Sequence, residues 1–585
     1  MSRRRDALAR PSIVRWAVVV AALLSSPSLL HGFEVDDRLQ RQGALGGGTF
    51  GSLGRSPFDL YNFVDGNPEH TRVLIDHGFG AWWSDLHARV AFLRPITSIL
   101  LWCDHHVLKH AVLLHVHSIL WYLVAVALAG LLYRQFIGKA WVAGLAAMLF
   151  AVDHTHGLLA SWIAQRNSLI AGVFGFGALF LHDRARKRGG GNRDVVLASV
   201  CLGLSLFSAE ASLGIVPYLV AHAWFLDRKN VRALLPYVPP LALWAIVYKL
   251  GDYGARGSGL YVDPGKHPLQ FLGSIPTHGP ILVATELGMP ATDFYPFVPI
   301  WAKAIIVGVS VAMVIAFFVA IGPLFRRDAT TRFFVTGAVL SLLPSCAVFP
   351  SGRLLFFASL GMIGALAQLI AAWREGEGWF PTRGVRRAIT MPVVYWSALG
   401  HLFFSPFAFL IAMNQMTILE GIVIRNANGL PDAPELARQR VVIVNAPDAT
   451  FLAYISIIRE AQGRPAPAKV LGMAAGVRPL ELARIDDKTV TLSSSVALVQ
   501  PGTDLLIRST DPFEVGYRVA LSDVTIEITR VNADGWPTEA RFTFARPLED
   551  PSLRFMQWKD QTLAPLALPK IGERIAFPAQ FVKVL

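Results

Sequence analysis

The chain has 585 residues, is 53% hydrophobic and only 16% charged, and has a mean hydropathy of +0.45. That is more apolar material than one soluble core absorbs, so a polytopic membrane protein is predicted. The formal charge of +13 does not point to nucleic acid, because the basic residues fall in short stretches between apolar runs, where they set topology. Cys103, Cys201 and Cys346 are too few and too scattered for a disulfide framework or a zinc site.

The N-terminus carries Arg3, Arg4, Arg5, Arg10 and Arg15 ahead of the apolar run 16–30. Ser25, Ser26 and Ser28 are small enough for signal-peptide cleavage, but an uncleaved first span is the reading adopted, since cleavage would leave the following acidic pair at a detached end. Residues 32–109 form a loop too long to be a mere connector, functional or packed on the membrane surface, with Trp82-Trp83 within it. Its last part, Arg94-Pro95-Ile96 to Leu108, is short for a span and is placed in the interface, with Trp102, Asp104, His105 and His106 at headgroup depth.

Apolar length then places spans at 112–133, 140–152, 169–181, 195–207, 212–226, 233–250, 299–324, 333–349, 354–372 and 391–413, about eleven with the first. Charge orders them. The N-terminal arginines, Arg134/Lys139, Arg184/Arg186/Lys187/Arg188/Arg193, Arg228/Lys229/Arg232, Arg326/Arg327/Arg332 and Arg374/Arg383/Arg386/Arg387 fall on one side. The other side holds little beyond Arg166 and Arg353, which predicts a cytoplasmic N-terminus and an external C-terminus, in the inner membrane of a bacterium. Residues 1–425 are read as the membrane domain, with its large outer loop 32–109, and 426–585 as an extracytoplasmic, mostly β domain. Strands are expected at 441–444, 489–492, 504–507, 524–528 and 541–544, with turns at Asp486-Asp487-Lys488 and Asp534-Gly535. No catalytic spacing occurs in that domain, which reads as an accessory or binding module.

This topology gathers the polar islands on the outer face: Asp36-Asp37, Asp153-His154-Thr155-His156, Gln165-Arg166-Asn167, Glu210, the long loop 251–293 and Arg353. Adjacent carboxylates beside a membrane repel one another, which raises one pKa toward a range useful to a base. Asp153-x-x-His156 could hold a divalent metal only with ligands from elsewhere. Glu210 can also be read as a helix N-terminal acid, and Arg353 as an interface anchor.

The order of these islands resembles a family. The run Leu149-Phe150-Ala151-Val152-Asp153-His154-Thr155-His156, then Ala160-Ser161-Trp162-Ile163-Ala164-Gln165-Arg166-Asn167, is similar to the "LFAxHPxHxExVAWIxxRxD" segment of multispan glycosyltransferases of the GT-C class. The similarity is in particular to the transmembrane protein O-mannosyltransferases that carry tetratricopeptide repeats, and to their bacterial relatives. Leu206-Phe207-Ser208-Ala209-Glu210 resembles "LLSKE", and Gly352-Arg353-Leu354-Leu355-Phe356-Phe357-Ala358-Ser359-Leu360-Gly361 resembles "ERYLYLPSLG". Arg94-Pro95-Ile96, with Asp104 and His115 after it, resembles "YRPL…H", and Phe33-x-Val35-Asp36-Asp37 the acidic pair of the first outer loop. The likeness runs over roughly residues 12–370. Asp153-His154 stands for His-Pro, Ala209 for Lys and Gly352 for Glu, and no repeats follow the last span.

The resemblance implies a GT-C fold and transfer of a sugar, mannose or another hexose, from a polyprenyl-phosphate donor to an acceptor hydroxyl of a protein or glycan, with inversion. It implies no cofactor beyond that lipid-linked donor. Asp36 or Asp37 is the implied base, Asp37 slightly favoured, and only one of them enters the cavity if the segment is extended. Arg353 and Arg166 are implied phosphate holders; Glu210, His156, Asp153 and Arg94 complete the substrate-binding set. The rival is a non-catalytic scaffold of the same fold that binds lipid-linked glycan or serves envelope assembly or transport.

Overall fold

The computed structural model describes residues 2–187, 191–289, 292–448, 452–500 and 502–581; Arg188 of the basic loops lies outside them. Six helical stretches are long and apolar enough to cross a membrane: Ile13–Leu30, Ala111–Phe136, Val231–Leu250, Trp301–Arg327, Phe356–Glu375 and Gly384–Asn428. A seventh arises if the bent pair Ala140–Ala151 and His154–Ser161 is one span. The remaining expected spans coincide with helices such as Arg166–Lys187, Asn192–Leu206 and Ala329–Ser341, which are short or carry charged ends. A helix not expected from the sequence, Pro268–Glu286, occupies the long outer loop in spite of Pro276 and Pro280.

Phe356–Glu375 is the axis of the bundle and is buried along most of its length. Small residues make this possible, as they do wherever membrane helices pack closely. A Cβ on Gly361 would lie 2.3 Å from the carbonyl oxygen of Phe334. The same residue's N–H is received by the hydroxyl of Tyr218, at 2.9 Å, and that hydroxyl donates to the carbonyl of Phe357 at 2.7 Å.

Outside the bundle, the loops 32–109 and 251–293 share a sheet. Asn62–Asp65, Arg89–Ala91 and Gly254–Arg256 pair antiparallel in that order, so segments far apart in sequence are locked in register. From residue 440 onward the chain forms two sheets. One is a six-stranded antiparallel sheet that contains Thr489–Ser493, Val524–Val531 and Pro537–Phe544. The other has four strands, with Arg440–Ala446 parallel to both Lys469–Ala475 and Leu553–Lys559. Parallel neighbours require a crossover, and the helix Leu452–Ala461 supplies it. The strand expected at 504–507 is instead a turn, Thr503–Leu505, entered through Gly502 at φ 130°.

Trp82 and Trp83 do not lie on the membrane surface. Both are buried in the core of the C-terminal region, where their indole N–H groups donate to the carbonyls of Met473 (2.9 Å) and Asp504 (2.7 Å). Arg440 adds an ion pair to Asp76 at 2.6 Å. Outer loop and C-terminal region are therefore one packed unit.

Candidate active site

Asp36 and Asp37 open a helix rather than an extended segment. The helix Asp36–Leu45 begins with the two carboxylates, which its dipole favours, and ends at Gly46 in the left-handed region, φ 73°. Val35, just before it, has φ 35°, which a β-branched residue adopts only under constraint. The constraint is visible: Glu420 accepts from the Val35 N–H at 2.9 Å and pairs with Arg38 at 2.7 Å, while the hydroxyl of Thr417 donates to Glu34.

On a helical first turn the two aspartates diverge. Asp37 is fully buried and spans two backbone donors, Glu34 N–H at 3.1 Å and Ala164 N–H at 2.7 Å. Asp36 faces a cavity of about 830 Å³. The sequence preference for Asp37 as the cavity residue is thus corrected: its carboxylate is committed to the fold. Burial raises the pKa of Asp36, against a hydrogen bond from Tyr454 and the charge of Arg353.

The cavity brings together residues from across the chain. Asp36, Tyr61, Arg94, Asn167, Glu210 and Arg353 line it, as do Trp244, Tyr248 and Lys249. Arg94 pairs with Glu210 at 2.9 Å and lies over the rings of Tyr61 (4.8 Å) and Phe92 (4.5 Å). The other oxygen of Glu210 accepts from Leu93 N–H at 2.7 Å, so Glu210 orients Arg94 rather than standing free. Arg353 differs. Its guanidinium sits beside the rings of Trp162 (5.9 Å) and Phe349 (5.7 Å), and it has no ion pair or hydrogen bond to protein among the described residues. An unpaired fork next to a carboxylate, with a cavity between, is suited to an anion supplied from outside. Trp244 lies six residues, or about 9 Å of helix rise, inward of Leu250, so the cavity descends along a membrane span.

The other expected site residues lie elsewhere. Arg166 is wholly buried; it bonds Ser118 Oγ at 2.8 Å, the Leu114 carbonyl at 2.7 Å and the Asp104 carboxylate, so its N–H groups are spent before they could reach a phosphate. Asp153 accepts from the backbone and hydroxyl of Thr155 and is buried. His156 is enclosed by Phe150 and Phe356 at 4.5 and 4.9 Å. Neither lines the cavity, and among the described residues no group of three or more His, Cys, Asp or Glu is arranged to hold a metal ion.

One cavity neighbour was not expected at all. Tyr454, on the crossover helix of the C-terminal region, donates its hydroxyl to Asp36 Oδ1 at 2.5 Å.

Comparisons with known proteins give a likeness in structure alone. No family model and no curated protein matches the chain. The apo oligosaccharyltransferase of Archaeoglobus fulgidus aligns over 80% of this chain and 65% of its own, at 12% identity and a TM-score of 0.43. AglB of that organism, solved with an inhibitory peptide and a dolichol-phosphate, aligns over 78% and 64%, at 12% and 0.43. ArnT from Cupriavidus metallidurans bound to undecaprenyl phosphate aligns over 79% and 90%, at 13% and 0.34. The chain spans slightly less than two thirds of the length of the two archaeal structures.

Proposed function

We propose that the chain is a membrane glycosyltransferase that moves a sugar from a polyprenyl-phosphate donor to an acceptor hydroxyl on the extracytoplasmic face. The observation that carries this reading is the cavity itself, which is lined by both the Asp36 carboxylate and the unpaired Arg353 fork, beside a helix long and apolar enough to cross a membrane. The donor's phosphate would lie against Arg353, its polyprenyl chain along the Val231–Leu250 helix, and its sugar between Asp36 and the Arg94–Glu210 pair.

In this scheme Asp36 takes the proton of the acceptor hydroxyl as the oxygen attacks the anomeric carbon. The bond from that carbon to the phosphate oxygen breaks, and the lipid phosphate leaves with the electron pair. A phosphate is a stable anion, so no acid is required at the leaving oxygen; Arg353 holds the charge that develops there. Attack from the face opposite the phosphate inverts the anomeric centre. The raised pKa of Asp36 suits a base that must be strong enough to accept a hydroxyl proton.

Two measurements test the reading. Mass spectrometry of envelope glycans and glycoproteins from cells with and without the chain should reveal a hexose-bearing product that disappears with it; unchanged profiles reject transferase activity. Binding of undecaprenyl phosphate to the purified chain should weaken about 10-fold or more in Arg353→Lys, because the charge remains while the two-pronged contact is lost. Equal affinity in that variant would reduce Arg353 to an interface anchor.

A further inference from the structure

The carboxylate at the centre of the cavity is held from the far end of the chain. Tyr454 and Asp36 are 418 positions apart, and the phenol reaches Oδ1 at 2.5 Å. When Asp36 is ionised this is a charge-assisted hydrogen bond, the stronger kind. With Oδ1 so engaged, Oδ2 is the oxygen left to receive a proton from the cavity.

The position of the phenol is fixed by packing. Its ring touches three separate apolar clusters: that of Val35, Leu158 and Trp162; that of the outer loop around Leu39 and Val64; and that of the strands around Val441 and Ile443. The helix that carries it is tied down by Arg459, which donates to the carbonyls of Ala427 (2.8 Å) and Leu430 (3.0 Å). Gln42 of the acidic-pair helix reaches Glu460 of the same helix at 2.8 Å. Tyr454 is therefore carried to Asp36 by the docking of the C-terminal region.

Resting on the reading of Asp36 as the base, we propose that Tyr454 is its positioning residue. It sets the plane of the Asp36 carboxylate and favours its ionised form, so that the cavity is competent only while the C-terminal region is docked. Charged groups surround Asp36. Arg353, Arg94, Glu210, Lys249, Asp252, Asp263 and Lys266 line the cavity with it; Glu34 and Asp37 flank it on its own turn; Glu420, paired with Arg38, acts on Tyr454. Among them only Tyr454 donates a hydrogen bond to it.

The full chain in detergent supplies the test, with undecaprenyl phosphate as the probe and affinity measured from about pH 5 to 8. An ionised Asp36 beside Arg353 repels the bound phosphate, so affinity should rise as Asp36 takes up a proton. Asp36→Asn removes that step and leaves the titration of the lipid phosphate as the baseline. Tyr454→Phe keeps the ring and its packing; loss of a charge-assisted hydrogen bond should move the Asp36 midpoint up by about one to two pH units. Fluorotyrosine in place of Tyr454, a stronger donor of nearly the same shape, should move it down, and decides the matter should the Phe variant not fold. If both variants keep the parental midpoint while Asp36→Asn abolishes the step, Tyr454 is packing and the proposal falls. If the parental chain does not bind undecaprenyl phosphate at all, the cavity reading falls first and takes this one with it.

Discussion

At the scale of single residues, the two aspartates separate function from fold. Asp36→Asn keeps size and polarity but removes basicity, so product formation should drop about 100- to 10,000-fold with little loss of stability. Asp37→Asn should do the reverse. An amide presents one acceptor oxygen where the carboxylate satisfies the N–H groups of both Glu34 and Ala164, and an unmet buried donor costs about 1–3 kcal/mol. Unfolding midpoints and envelope glycan profiles, read together, distinguish the two. Glu34 offers a pH signature of the same turn. Burial pushes its pKa up to about 7 from 4.5, against the hydrogen bond from Thr417, so between those values the folded chain holds a proton that the unfolded chain has lost. Stability should fall as pH rises through that window, by on the order of 3 kcal/mol at most, and Glu34→Gln should flatten the slope. Asp36, Glu210 and Arg353 stand out in the sequence because each sits beside an apolar run at a boundary that the expected topology gives to one face, and Arg94 through the resemblance of Arg94-Pro95-Ile96 to a family segment. What spacing does not reveal is whether a charge is already spent. Arg166 looks as available as Arg353 until Asp104 and Ser118, from another part of the chain, are seen to consume it.

At the scale of elements, the Trp82-Trp83 pair joins the halves of the molecule. Both indoles fill the core of the C-terminal sheets, and loss of one such side chain typically costs about 3–5 kcal/mol. Trp83→Ala should loosen the docking of the C-terminal region, seen as faster proteolysis beyond Asn428 and faster hydrogen exchange in Leu452–Ala461. Unchanged protection would mean that the contacts of Arg440 and Arg459 hold the region without the indoles. The sequence showed the strands by their apolar alternation and the tight turns by Asp-Gly, but not the helix that delivers Tyr454. One clue was present. Val441-Val442-Ile443-Val444 is apolar without alternation, as a strand buried on both faces is, and such strands commonly have parallel neighbours that need a helical crossover. The helix Pro268–Glu286 was hidden for the opposite reason, since its two internal prolines argue against any helix.

At the scale of the whole molecule, the contacts tie the sidedness of the parts together. Asp36 touches Tyr454, and Trp82 and Trp83 enter the C-terminal core, so cavity and C-terminal region face the same compartment. The helix Arg166–Lys187 leads away from that face; its 22 residues rise about 33 Å, close to the hydrocarbon thickness of a bilayer. The start of the next helix, Asn192–Leu206, should therefore lie across the membrane from the cavity. The density of arginine and lysine there predicts that side to be the cytoplasm. Apolar runs alone could not fix the number of crossings, because helices such as Asn192–Leu206 shelter short or polar-ended segments against their neighbours. The sidedness is nonetheless open to direct measurement. In a variant whose Cys103, Cys201 and Cys346 are replaced, a cysteine introduced at the exposed turn residue Asp487 should react with a membrane-impermeant maleimide in intact cells, and one at the exposed Asn192 only after the membrane is opened. The opposite pattern would place the cavity in the cytoplasm and reject an extracytoplasmic acceptor. Labelling of both positions from one side would break the link between the Arg166–Lys187 helix and a full crossing, and with it the topology on which the donor's approach to Arg353 depends.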